Sequence, residues 1–270
     1  TLTREFAKEL IACLWLKYFE SVGAASGVSA HNHLTLGGVK ADGSDASNEV
    51  TWLCLEVTEE LQVLRPQVGL RWNRNTPPKL VERAVQTLRS KTGNPDFCSD
   101  EQIIPALTRL GVRVEDARDF SLSGCHEVIV TGRAQMGSVE GFINMPKILR
   151  MALGLEQARQ PGVGLSDPSD PSDLSDVDSF EDLWASLEQS MDLAAEMAHE
   201  ASLQRDRKEA DQPGGYLQAS LVTRDCIENA TGYTQGGARY NFCNWDVIGL
   251  ANLADSLAAI RRLVFEEQAL

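Results

Sequence analysis

The stretch Asp116-Ala117-Arg118-Asp119-Phe120-Ser121-Leu122-Ser123-Gly124-Cys125-His126-Glu127 places a thiol and a carboxylate two residues apart behind a glycine. Side chains two apart on an extended segment share a face, so Cys125 and Glu127 can point into one pocket. A thiol can give or take a hydrogen atom, and a carboxylate can take a proton. Gly124 permits a tight bend that would present both groups. Alone, Gly-Cys-x-Glu is a weak signal, because a buried thiol beside a surface glutamate has the same sequence.

Upstream of this stretch, helices alternate with short strand candidates. Residues 2–24 carry Phe6, Leu10, Leu14 and Phe19 at helical spacing. His31 to Gly38 reads as partly β-like, and Asp42-Gly43 as a turn. Asn48 to Leu64 returns to helical periodicity, and Val68 to Trp72 is a strand candidate. Thr76-Pro77-Pro78 opens a helix through Arg89, with Thr76 as its cap. Ser99-Asp100-Glu101 starts another helix, closed by Gly111.

Downstream, Asn144 to Leu155 is helical, with Pro146 in its first turn. Gly162 to Asp182 is rich in Ser, Pro and Asp, and reads as a solvated acidic loop or linker. Its carboxylates lack the register of a calcium loop. A polar helix, Phe180 to Arg207, leads to a second ordered block, and Asp255 to Leu270 reads as an amphipathic helix. The alternation of strands and helices indicates α/β architecture.

The composition narrows the function class. The chain has 270 residues, 43% hydrophobic and 24% charged, ample for a sizeable core. A net charge of -14 disfavours nucleic acid and anionic membrane surfaces as partners. No apolar run approaches the roughly 20 residues that span a bilayer. Six cysteines without a CxxC pair indicate reduced thiols in a cytoplasmic protein rather than a zinc site. His31 and His33 alternate, but two histidines do not make a metal site, so packing or loop roles are expected for them.

Several colinear runs together resemble the glycyl radical enzyme family, pyruvate formate-lyase-like and glycerol dehydratase-like. They include Leu34-Thr35-Leu36-Gly37-Gly38, Asp42-Gly43 with Asn48, and Arg71-Trp72-Asn73-Arg74-Asn75-Thr76-Pro77. Gly93-Asn94-Pro95-Asp96-Phe97-Cys98-Ser99-Asp100-Glu101 and Gly111-Val112 through Phe120 follow in order. Gly236-Gly237-Ala238-Arg239-Tyr240-Asn241 and Ala254-Asp255-Ser256-Leu257-Ala258-Ala259-Ile260 complete the set. The resemblance covers nearly the whole chain, apart from the acidic insert and the helix after it.

The resemblance implies a partial ten-stranded α/β barrel wrapped in helices. Residues 1–270 would be part of a pyruvate formate-lyase-like domain, interrupted by an acidic loop at about 162–182. A glycine loop from the opposite end would meet the cysteine loop at the barrel centre. Its radical is installed by a separate S-adenosylmethionine iron–sulfur activating enzyme, and it turns Cys125 into a thiyl that abstracts a substrate hydrogen. Ala230-Thr231-Gly232-Tyr233 lacks the arginine of the glycine motif, so the glycyl radical domain is expected to lie outside this chain. The chain then reads as a fragment, inactive alone, of an enzyme expected to be a homodimer.

Pyruvate formate-lyase itself carries adjacent cysteines, whereas here His126 follows Cys125, so acyl transfer to a neighbouring thiol is not available. The Cys-x-Glu form resembles the dehydratase and lyase branch, with Glu127 as general base on a substrate hydroxyl. By the same resemblance His126, Gly236 and Tyr240 are candidate substrate-binding residues, and no metal is expected. Two positions depart from the pattern: His126 stands where a small apolar residue is usual, and Val128 where proline is. The alternatives are an acyltransferase or aryl-acetate decarboxylase of the same family, or a truncated non-catalytic partner.

Overall fold

The computed structural model describes residues 2–24, 32–90, 92–124, 126–136, 139–155, 178–212 and 216–267. The chain forms two compact units, Thr1–Ala134 and Gln135–Leu270.

The first unit is built on three parallel strands, β1 (His33–Gly37), β2 (Gln67–Trp72) and β3 (Asp96–Ser99), in the order β1-β2-β3. Parallel neighbours need a crossover connection. Helices α2 (Glu49–Leu61) and α3 (Pro78–Leu88) supply the two crossovers. Asn48 caps α2: its side chain accepts from Val50 N, and its own N–H donates to Thr51 Oγ1. The helix expected to begin at Thr76 is capped instead by Pro77. The Thr76 hydroxyl is engaged elsewhere, accepting from Asn73 N and donating to Asp45 Oδ1.

Strand alternation sorts the sheet into two unlike faces. Leu36, Val68 and Leu70 are buried against α2, α3 and α1 (Arg4–Ala24), in a core with Trp15, Leu55, Val57 and Leu80. Trp15 Nε1 donates to Thr58 Oγ1 within that core. The register aligns Thr35 with Gly69 and Gly69 with Asp96, and likewise Gly37 with Arg71 and Arg71 with Cys98. The second face is therefore polar, although β2 is buried from Val68 through Arg71.

A hairpin covers this polar face. Helices α4 (Asp100–Arg109) and α5 (Val114–Arg118) lead into β4 (Phe120–Ser123), which pairs antiparallel with β5 (Glu127–Val130). Arg71 anchors the base of the hairpin. Its guanidinium donates to Phe120 O at 2.6 Å and to Arg118 O at 3.0 Å, pairs with Asp100 at 2.7 Å, and lies over the Phe120 ring. A Cβ at Gly38 would lie 2.7 Å from the same guanidinium carbon. Arg133 ties the other side of the base to Asp116 and Asp119.

In the second unit β7 (Gly141–Asn144) runs parallel to β9 (Trp245–Ile248), and β6 (Ala134–Met136) pairs with β8 (Tyr240–Phe242). Helices α6 (Met145–Ala152), α7 (Phe180–Ala210) and α9 (Leu250–Ile260) pack through Ile148, Leu149, Leu183, Leu187, Leu253 and Leu257. A short helix, α8 (Leu217–Val222), lies between α7 and β8. Glu140 accepts from both Ser202 and Arg205 of α7, and Trp245 Nε1 donates to Ser202 Oγ at 2.9 Å.

Two boundaries differ from the sequence reading. Most of the expected acidic loop lies outside the described residues; Ser179 Oγ accepts from Asp182 N and α7 starts at Phe180, as its helical pattern indicates, so the loop ends before the expected Asp182. The last α-helix begins at Leu250, five residues before Asp255, and continues as a π-helical turn, Arg261–Glu266. Among the described residues no helix is long and apolar enough to cross a membrane.

Removing Arg71 would leave Asp100 buried without its cation. Arg71→Leu is expected to destabilise the protein by about 3–5 kcal/mol, the cost of breaking a buried pair. Arg74→Ala, which breaks an exposed pair with Glu101, should have a far smaller effect, because solvent screens that pair. Urea unfolding of both variants checks this, and a loss at Arg71 no larger than at Arg74 would refute the anchoring role.

Candidate active site

Gly124 and His126 are turn residues at the tip of the β4–β5 hairpin, and the pairing of Ser123 with Glu127 closes the loop. Gly124 and His126 thus flank the tip, and Glu127 opens the extended strand β5. Gly124 takes φ +49°, a left-handed conformation suited to glycine. Cys125 itself lies outside the described residues, as does His31.

Glu127 is buried, at 7% exposure. Its carboxylate folds back over the tip: Oε2 accepts from His126 N at 2.9 Å. A Cβ at Gly124 would sit 2.5 Å from that same oxygen. The carboxylate therefore occupies the space that the missing side chain at 124 leaves open, beside the residue that precedes Cys125.

The polar sheet face receives the tip. His126 Nδ1 lies 3.6 Å from Asp96 Oδ2. Asp96, with Cys98 as second contributor, pushes the imidazole up to about 10, so it is cationic at neutral pH. Burial alone would raise Asp96, but hydrogen bonds from His126 and Gln67 outweigh it and hold the carboxyl below its usual range. Gln67 Nε2 donates to the same Asp96 oxygen at 2.6 Å.

His33, at the start of β1, faces the other side of the tip. Its Nδ1 is 3.3 Å from Gly124 O, and its ring centroid is 6.3 Å from that of His126. Burial outweighs the Gly124 hydrogen bond and lowers this imidazole, so it is neutral. The two histidines beside the tip thus carry opposite charge states. Further along, Leu122 N donates to Thr35 Oγ1 at 2.9 Å.

Of the residues singled out from sequence, His126 and Glu127 come together here, with the His126 ring against Asp96 and Cys98. Gly236 and Tyr240 belong to the second unit. Gly236 closes a 3-10 turn in the left-handed region, where a Cβ would meet open space, whereas a Cβ at Gly237 would lie 2.0 Å from Thr231 O, so Gly237 packs against its own turn. Tyr240 stacks on Phe242 with ring centroids 6.0 Å apart. The sequence reading missed His33 and Asp96 as neighbours of the tip. Their signal is a polar residue at every second position of strands whose other residues are apolar.

Comparison with known proteins identifies the family. A model of the pyruvate formate lyase-like family matches residues 1–270. The chain is 31% identical to (2S)-3-sulfopropanediol dehydratase of Klebsiella oxytoca, over 99% of this chain and 33% of that protein. Glycerol-bound B12-independent glycerol dehydratase from Clostridium butyricum superposes with a TM-score of 0.75 at 27% identity, covering 100% of this chain and 35% of that one. A glycyl radical enzyme from Archaeoglobus fulgidus superposes with a TM-score of 0.69 at 26% identity, over 98% and 34%. The chain spans about a third of the length of the curated relatives it matches. The expected fold class, part of a glycyl radical enzyme α/β barrel, is that of these solved structures.

The His126–Asp96 contact sets a pH window. The raised imidazole contributes stability that is complete below its ordinary value of 6.5 and is lost as pH rises through about 10. Because the His126 side chain is 44% exposed, solvent screening weakens that contribution. Nuclear magnetic resonance titration of His126 should give a midpoint well above 6.5, and Asp96→Asn should bring it back toward 6.5. A midpoint near 6.5 in the unaltered protein would refute the pairing.

Proposed function

The chain belongs to the pyruvate formate lyase-like family, and on that premise we propose that it supplies the cysteine side of the active site of a glycyl radical lyase of the dehydratase type. The observation that carries this reading is the buried Glu127 carboxylate folded over Gly124, at the tip that bears Cys125. A glycyl radical, installed outside this chain by an S-adenosylmethionine iron–sulfur activating enzyme, supplies the oxidising equivalent to the Cys125 thiol. The substrate is a small alcohol with a leaving group on the adjacent carbon.

In this scheme the Cys125 sulfur takes a hydrogen atom from the carbon that bears the hydroxyl, forming an S–H bond and a carbon radical. Glu127 takes the hydroxyl proton, which puts negative charge on that oxygen. The resulting ketyl-type radical forms its C=O bond as the bond to the leaving group breaks and that group departs with the electron pair. Cys125 returns its hydrogen atom to the product radical, so the thiyl is regenerated. The polar sheet face and the hairpin base hold the tip while these transfers occur, and exclusion of water protects the radicals.

The test uses the complete, activated enzyme that contains this chain, in its native oligomer. Cys125→Ala should abolish turnover while the glycyl radical signal in electron paramagnetic resonance stays at full intensity. Glu127→Gln should lower kcat by about 10²–10⁴-fold, the usual worth of a positioned general base. Turnover surviving in Cys125→Ala would remove the radical mechanism, and full activity in Glu127→Gln would remove the base role alone.

A further inference from the structure

We propose that His33 is a positioning residue for the cysteine-bearing tip, acting as a neutral imidazole whose Nδ1–H holds the Gly124 carbonyl. Two observations fix this tautomer. A carbonyl oxygen only accepts, so the nitrogen 3.3 Å from Gly124 O must carry the proton. The other ring nitrogen, Nε2, is buried and finds no hydrogen-bond partner among the described residues. A proton on Nε2 would be stranded there, so the ring rests as the Nδ1–H neutral form.

The surroundings lock the ring in place. His33 Nε2 packs over Gly69 on the neighbouring strand, where a Cβ would lie 2.7 Å from that nitrogen and 2.6 Å from Leu122 Cδ1. Gly69 therefore makes room for His33 and the hairpin together. The titratable groups that face the ring are Asp96, His126 and Glu127. Of these, Asp96 is committed to Gln67 and His126, and Glu127 to His126 N. The acceptor left for the His33 Nδ1–H is thus the Gly124 carbonyl. Gly124 immediately precedes Cys125, so orienting its peptide sets the direction in which the chain enters the cysteine.

The proposal rests on the reading of Cys125 as the reacting group, but one of its tests does not need catalysis. His33→Leu removes the donor. His33→Asn restores it, because the Asn amide nitrogen occupies the place of Nδ1. In the complete enzyme before activation, Cys125 alkylation by iodoacetamide is followed by peptide mass spectrometry, with exposed Cys13 as internal reference. His33→Leu should raise the Cys125 rate roughly fivefold, the worth of one neutral hydrogen bond, and leave Cys13 unchanged. His33→Asn should return the rate to that of the parent.

After activation, His33→Leu should lower kcat with KM little changed and the thermal midpoint within about 2 °C of the parent. Parent-like Cys125 alkylation in His33→Leu, or no rescue by His33→Asn, would overturn the proposal. If Cys125→Ala proved active, the catalytic reading would fail while the alkylation result still decided the role of His33.

Discussion

The geometry of the tip depends on Arg71. A guanidinium has five donors in a rigid planar fork, and here that fork is spread over one carboxylate and two backbone carbonyls. The carbonyls belong to Arg118 and Phe120, the residues at which α5 gives way to β4. Arg71 therefore fixes where the hairpin starts and how it lies on the sheet. A lysine could meet one of these partners but not the planar set. Asp100 keeps the cation from being buried unpaired, which explains why the charge can sit at 5% exposure beneath a hairpin.

From that anchor the hairpin runs along the polar face of the parallel sheet, engaging Thr35, Gly69, His33 and Asp96 in turn. The face is unusual in being buried and polar at once, and each of these contacts is local and directional. A hydrophobic face would hold the hairpin about as strongly but would tolerate sliding. A strand slip by one residue would turn every side chain to the opposite face, and the hydrogen bond from Leu122 to Thr35 would be lost. Register at the tip is thus set by polar contacts and close packing, with the apolar core on the far side of the sheet supplying the bulk of the stability.

Much of the framework was legible from sequence because it rests on local rules. The Asn48 cap, Pro146 in the first turn of α6 and Gly111 after α4 each state a boundary in the residues themselves. The seat of the hairpin was not legible: Phe120 through Ser123 alternate apolar and polar, but the residues they and Gly124 meet lie about 90 residues upstream in β1. Thr76 misled for a related reason: its hydroxyl has the chemistry of a cap, but it accepts from Asn73 N in a local turn and donates to Asp45, 31 residues upstream. Of the thiol and carboxylate singled out, Glu127 is buried at the tip, and Cys125 lies outside the described residues. That His126 would be held cationic by Asp96 depends on strand order, which no local pattern specifies.

Three glycines show how the site achieves close approach. At Gly38 the freed space holds the Arg71 guanidinium, at Gly69 it holds His33 and Leu122, and at Gly124 it holds the Glu127 carboxylate. In each case a functional or anchoring side chain occupies the volume a Cβ would take, so the polar group sits directly on backbone. Backbone does not change rotamer, so groups seated on it have little freedom to drift. A reaction that takes a hydrogen atom from a carbon and a proton from the hydroxyl on that carbon needs both acceptors held to within a fraction of an ångström. The glycines, the Arg71 fork and the paired histidines all act on the same few residues, and together they hold the carboxylate against the hairpin tip.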